Sequence, residues 1–270
     1  MQMSLLARLF NVLSLDDAMN RMESGTLPLR AVCVTFDDGY ADNLYVALPI
    51  MKKYGIPATV FVATGFLDGG LMWNDSIIES VRNWPDPTID LTEFDGGVLE
   101  CRTEQHKKAA ITVILNAIKH LNPDIRQAYV ARIAAKVGQL PTNLMLTTAE
   151  VRELHKQGVE IGAHTVSHPI LASLNDTDAR SEIANGKERL ERIIDDEVRY
   201  FAYPNGRYES DYLDVHVDML KTLNFKAALS THWGVASAST DTMQLPRFTP
   251  WDRSNVRFLL RAAQIYQKAL

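Results

Sequence analysis

Cysteine is scarce in this chain. Two thiols in 270 residues, Cys33 and Cys101, form neither a CxxC pair nor a framework able to staple a fold, so both are expected to be free. Positive charge is short as well: 28 Lys and Arg stand against 33 Asp and Glu, a net charge of -5. That balance argues against nucleic acid, which calls for a clustered basic face, and against an anionic membrane surface for the same reason. No stretch reaches the roughly 18 apolar residues that a membrane-spanning helix requires. The opening MQMSLLARLF has neither the longer apolar core nor the small-residue cleavage site of a signal peptide. A cytoplasmic location is therefore the expectation unless an export signal has been removed, and the sequon NDT at 175–177 carries no weight without one. Repeats, low-complexity tracts and linkers are missing too, so residues 1–270 are expected to form one domain.

What is present is a composition with room for a large core, 46% apolar and 23% charged. SLDDAMNRMES at 14–24 opens on a Ser cap, carries acids in its first turn and stops before Gly25, which predicts a short helix. LRAVCVTF (29–36) and PATVFVAT (57–64) are near-continuous apolar runs, as strands buried on both faces of a parallel sheet are. Between them ADNLYVALPIMKKYG (41–55) reads as a helix broken or kinked at Pro49 and stopped at Gly55. Strand, helix and strand in about 35 residues make a βαβ unit.

The rhythm resumes at LTTAEVRELHKQG (146–158), a helix with Thr148 as N-cap and Gly158 after its end. Strands are expected at 159–164, 198–204 and 225–231, with helices at 176–195 and 210–223. The stretch 66–103 is less regular, with turns at 83–87 and 94–97. Two helices are expected over 104–137, parted at 121–124. The prediction is an α/β fold of parallel strands with a helical insertion at about 70–145, which either shapes a groove or serves an oligomer interface.

Two stretches carry candidate chemistry. TFDDGY (35–40) places Asp37 and Asp38 at the end of a buried strand, and GAHTVSHP (162–169) places His164 and His168 at the end of another. The four-residue spacing would bring both imidazoles to one face of a helical turn. Each stretch alone has an ordinary explanation: an acid pair caps a turn, and HxxxH is a surface or core pair. Together, at the carboxyl ends of parallel strands where α/β sites are built, they make a three-ligand centre for zinc or a similar divalent ion. Two imidazoles and one carboxylate bind, and one position stays open for water. The remaining carboxylate is then free to take a proton from that water, which is metal-assisted hydrolysis with a general base. FAYPNGR (201–207) forms a tight turn that frees the Asn205 N–H to point into a cleft, or else is a plain β-turn. Arg247 in LPRF (245–248) either orients a carboxylate or lies on the surface.

TFDDGY, HTVSH and FAYPNG, in this order and at these strand ends, resemble the polysaccharide deacetylases of carbohydrate esterase family 4, in the subgroup with FAYPNG. The likeness runs from SLDDAM near residue 14 to LPRF near 245. It implies a distorted (β/α) barrel of about seven parallel strands. It makes Asp37 the general base and Asp38, His164 and His168 the metal ligands, with Tyr203, Pro204, Asn205 and Arg247 around the substrate and oxyanion. The implied reaction is removal of N-acetyl groups from an amino-sugar polymer or oligosaccharide. The implied ion is Zn²⁺, with Co²⁺, Ni²⁺ and Fe²⁺ as alternatives for the same ligands.

The chain departs from the family in three places. Ala202 stands where many members carry an arginine, and Arg247 is expected to supply that charge to Asp37. No LxH histidine follows residue 206, which leaves His232 or no residue as general acid. An upstream strand with a YH dipeptide is missing, so the barrel is expected to lack a strand or to begin differently. These departures keep two other readings open: a catalytically impaired sugar-binding pseudoenzyme, and an amidase acting on a non-carbohydrate amide. Trp73, Trp233 and Trp251 either stack on sugars or pack, and a homo-oligomer remains open.

Overall fold

The computed structural model describes residues 2–92, 96–119, 121, 123–252 and 254–267. It divides into two compact units, Met1–Asp68 with Met145–Leu270, and Gly69–Leu144. The first unit opens with α1 (Gln2–Leu9), β1 (Asn11–Val12), α2 (Leu15–Glu23), β2 (Ala31–Val32) and β3 (Val34–Phe36). A π-helical turn over Asn43–Ala47 leads into α3 (Leu48–Tyr54) and β4 (Ala58–Val62). Pro49 follows closely on the π-helical turn, where the chain passes into α3 with helical backbone at Ala47, so the irregularity expected at this proline takes the form of a π-helical turn.

The second unit holds α4 (Trp73–Arg82), an antiparallel hairpin of β5 (Thr88–Asp90) and β6 (Val98–Glu100), α5 (Glu104–Ile118) and α6 (Pro123–Ala134). Its core joins Ile77, Val81, Ile89, Cys101, Ile114 and Ile133. Within it the Arg126 guanidinium sits 4.8 Å from the Trp73 ring centroid, so Trp73 packs inside this unit. The stretch expected to be irregular therefore contains a helix and a hairpin, whose three-residue strands are too short to show a period of two. The turns expected at 94–97 and 121–124 fall partly outside the described residues.

The first unit continues with α7 (Thr148–Lys156), β7 (Glu160–Ala163), α8 (Asp176–Ile194), β8 (Tyr200–Ala202), α9 (Asp214–Thr222), β9 (Ala227–Trp233), β10 (Leu245–Arg247) and α10 (Asn255–Gln267). Strands β3, β4, β7, β8, β9 and β10 follow one another in a single parallel sheet. β1 pairs in parallel with β2 in a two-stranded sheet of its own, from which the chain runs through Cys33 into β3. The result is the distorted (β/α) barrel, open as a half-barrel.

Alternation along the strands gives the sheet two buried faces. Val60, Val62, Ile161, Ala163, Phe201 and Ala228 join the core under the helices. Phe61, Tyr200, Ala202, Ala227 and Leu229 turn the other way and pack with Leu15 and Met19 of α2. Both thiols are free; burial pushes Cys33 up to about 12, so it stays protonated.

The cap of α7 is Thr147, one residue before the expected Thr148. The Thr147 hydroxyl accepts from Glu150 N at 3.2 Å, and the Glu150 carboxylate accepts from Thr147 N at 2.7 Å, a reciprocal capping box. The N–H and hydroxyl of Thr148 both go to Asp68, each at 2.7 Å.

A polar cluster ties α2 to the amino-terminal ends of β8 and β9. Asp16 Oδ1 accepts from Arg199 Nη1 at 2.8 Å, Tyr200 Oη at 2.8 Å and Lys226 Nζ at 3.2 Å. Burial pushes the Asp16 carboxyl up, but the Tyr200 and Lys226 hydrogen bonds and the Arg199 charge outweigh it, and its pKa lies below the usual value. Asp16→Asn is expected to lower the unfolding free energy by about 1–3 kcal/mol, the cost of unpairing such donors. A carboxyl with a depressed folded pKa stabilises above its unfolded value and loses that contribution as pH falls through the folded one. The wild-type advantage in urea titrations should thus be full at neutral pH and shrink below about pH 4.

Candidate active site

The carboxyl ends of β3, β7, β8 and β10 bring the site together. After β3 the backbone turns through Asp38 (φ 74°) and Gly39 (φ 86°), and the adjacent carboxylates find different partners. Asp37 Oδ1 accepts from Arg247 Nη1 at 2.7 Å. Asp38 Oδ1 lies 3.3 Å from His164 Nε2 and 3.4 Å from His168 Nε2. Arg247 is aimed by its own Nε, which donates to the Ser230 carbonyl at 2.8 Å.

His164 is 1% exposed, and its Nδ1 lies 2.6 Å from the Ala202 carbonyl. A carbonyl only accepts, so Nδ1 carries a proton, and Nε2 is the nitrogen turned toward Asp38. The expected helical turn is not formed between His164 and His168. They converge through a loop in which Thr165 (φ 66°) and His168 (φ 54°) take left-handed conformations. Such residues cost of order 1–3 kcal/mol each and persist only where their surroundings hold them.

The surroundings do hold this loop. Glu182 of α8 accepts from Val166 N at 2.9 Å, Ser167 N at 2.8 Å and the Ser167 hydroxyl at 2.7 Å. Thr64 N and Gly65 N donate to the Thr165 and Val166 carbonyls at 3.2 and 2.8 Å. Gly186 lets α8 come close: a Cβ there would stand 2.9 Å from the Thr165 carbonyl oxygen. Glu182→Ala is expected to weaken divalent-metal affinity by about 10- to 100-fold, as losing outer supports of a metal site does. Competition with a chromogenic chelator measures it, and an unchanged affinity would mean the loop holds its shape without Glu182.

Asp38, His164 and His168 each offer a ligand atom, all within 4.8 Å of one another. Tetrahedral zinc bonds of 2.0–2.1 Å separate neighbouring ligand atoms by about 3.3 Å. The 3.3 and 3.4 Å separations match that edge, so the three residues fit such an ion. Burial raises the Asp38 carboxyl, yet the hydrogen bond and charge of His164 prevail and its pKa is lowered. For His164, burial works against protonation, but Asp38 and the Asp37 charge outweigh it and the imidazole pKa is raised. Burial also raises Asp37, and the Arg247 charge overcomes it, holding the group below the usual carboxylate range.

The remaining candidates divide. Asn205 (φ 59°) turns the chain after β8, its carbonyl accepts from the Thr231 hydroxyl at 2.6 Å, and its N–H has no acceptor among the described residues. Tyr203 is committed to the core. Its N–H donates to Leu229 O at 3.1 Å, its ring stacks on Tyr212 at 3.7 Å, and its hydroxyl donates to Met243 O at 3.1 Å. Pro204 is buried beside it, and His232 is exposed near the end of β9. Ser230, Glu182 and the Ala202 carbonyl were not expected at the site. A backbone carbonyl leaves no sequence signal, and Glu182 reads as one more acid on a charged helix.

The fold superposes on those of solved deacetylases. The Streptococcus pyogenes deacetylase PplD in complex with acetate matches at a TM-score of 0.62 and 22% identity, over 96% of this chain and 83% of that one. IcaB from Ammonifex degensii matches at 0.60 and 17%, over 97% and 85%. At these identities the likeness is one of fold. The polysaccharide deacetylase family model matches residues 24–226, and the chain belongs to that family. YxkH of Bacillus subtilis (strain 168), assigned by name to the polysaccharide deacetylases, is 22% identical over 218 residues. Those residues are 81% of this chain and 50% of YxkH, so the chain spans about half the length of this relative. No helix among the described residues is long and apolar enough to cross a membrane.

Proposed function

We propose that the protein is a metal-dependent hydrolase that removes N-acetyl groups from an amino-sugar polymer or oligosaccharide, releasing acetate and a free amine. The observation that carries this reading is the convergence of Asp38, His164 and His168 within 4.8 Å, with Asp37 next in sequence and held apart by Arg247. A divalent ion on those three ligands would supply Lewis acidity, lowering the pKa of a water and polarising the amide carbonyl. Imidazole and carboxylate ligands suit zinc first, and cobalt, nickel or iron as well.

The chain's own residues do the rest. Asp37 is the general base: Oδ1 is engaged by Arg247, and Oδ2 takes the proton of the attacking water. Arg247 keeps this carboxylate ionised and oriented, in the role that the missing arginine at Ala202 would have had. The Asn205 N–H donates to the oxyanion that forms on the amide carbonyl. The departing nitrogen then takes a proton from Asp37, or from His232 on the same rim.

Elemental analysis of the purified protein, combined with acetate release from N-acetylglucosamine oligomers, tests the proposal. About one divalent ion per chain is expected, with activity abolished by a chelator and restored by added zinc or cobalt. Acetate release that persists after complete metal removal would overturn the metal-dependent mechanism.

A further inference from the structure

Resting on the deacetylase reading, we infer that Thr231 is the positioning residue for the oxyanion donor, its hydroxyl and N–H clamping the turn that presents the Asn205 N–H. The clamp joins two strand ends that already touch the site. Three residues before Asn205, the Ala202 carbonyl lies 2.6 Å from His164 Nδ1. One residue before Thr231, the Ser230 carbonyl accepts from Arg247 Nε at 2.8 Å, and Arg247 grips Asp37. A bond from Thr231 to Asn205 thus ties the end of β8, which orients a histidine, to β9, which orients the guanidinium on the base.

The turn needs such a tie. Gly206 N donates to the Pro204 carbonyl at 2.7 Å, closing a three-residue turn around Asn205, whose φ is 59°. A γ-turn with positive φ at its centre is rare and strained. Gly206 follows in a left-handed conformation too, at φ 74°. Backbone of this kind persists only where its surroundings over-determine it. Thr231 does so at two points: its hydroxyl donates to the Asn205 carbonyl at 2.6 Å, and its N–H donates to the Gly206 carbonyl at 2.8 Å. Glycine at 206 permits the close approach, since a Cβ there would stand 2.8 Å from Thr231 N and 2.9 Å from Thr231 Cγ2. Every one of these bonds ends on a carbonyl, which leaves the Asn205 N–H uncommitted. A donor fixed before charge develops on the amide oxygen has no reorganisation to undergo during the reaction.

The experiment compares metal-loaded wild type with Thr231→Val, which keeps the shape and the N–H but drops the hydroxyl, and with Thr231→Ser, which keeps the hydroxyl. On N-acetylglucosamine oligomers Thr231→Val should lose roughly 10- to 100-fold in kcat with KM within about twofold, and Thr231→Ser should return to within about threefold of wild type. Metal content should be the same in all three. Affinity for a methylphosphonamidate analogue of the tetrahedral intermediate should fall in Thr231→Val by the same factor as kcat/KM. Thr231→Ala, which also lacks the hydroxyl, decides the question if the valine variant does not fold. A merely structural hydroxyl would lower the urea midpoint and leave kcat and analogue affinity of the folded enzyme unchanged, and that result would overturn the clamp. So would an equal loss in the serine and valine variants, or a raised KM with kcat intact, which would make Thr231 a substrate contact. Absence of acetate release from every oligomer by the wild type would instead refute the deacetylase reading, and the role of Thr231 with it.

Discussion

Replacing Asp37 with asparagine is expected to leave the bound ion in place and to lower kcat for acetate release by about 10²- to 10⁴-fold, the range supplied by general acid–base catalysis. The amide is isosteric and its oxygen can still accept from Arg247, so the turn after β3 and the Asp38 carboxylate should keep their positions. Only the capacity to take a proton is removed. Asp37 lies low on the pKa scale because Arg247 stands 2.7 Å away. It therefore remains ionised at working pH, at some cost in basicity. Metal content and turnover must be measured on the same preparation. Near wild-type acetate release would remove Asp37 as the base. Loss of the ion along with activity would make Asp37 a ligand and reverse the roles of the two acids.

His164→Ala should have the other outcome, with ion and activity lost together. The proposed site has three protein ligands, and an open zinc centre has none to spare. The metal content is expected to drop from about one per chain to near zero, and excess zinc should not restore activity. His164 is 1% exposed and bridges the Ala202 carbonyl and Asp38. Its removal should also destabilise the apoprotein, by about 1–3 kcal/mol for the buried groups left unpaired. His168→Ala separates the two effects, because the His168 side chain is 15% exposed and its loss disturbs the core less. A full complement of metal in both variants would place the ion elsewhere.

The relation of the second unit to the sequence is instructive. Its helices α5 and α6 are long enough for apolar periodicity to be read. The three-residue strands β5 and β6 are not, and only their pairing makes them strands. The cap of α7 misled for a similar reason. Thr147 and Thr148 are chemically alike, and the choice between them falls to Asp68, eighty residues away. Trp73 was a candidate for substrate contact on residue type, and Tyr203 on the resemblance carried by FAYPNG. One packs on Arg126 and the other on Tyr212, and neither pairing leaves a local trace.

By itself the sequence determined the strand ends and the residues placed on them: Asp37 and Asp38, His164 and His168, and the turn around Asn205. These follow from apolar runs, turn residues and spacing, all of which act over a few neighbours in the chain. The tertiary structure alone decided that Ala202 orients His164 and that Glu182 and Gly186 shape the loop between the histidines, and it gave the expected Arg247–Asp37 contact its geometry across 210 positions. Those contacts depend on strand order and on how closely α8 approaches the sheet, and both are set by packing among residues distant in sequence.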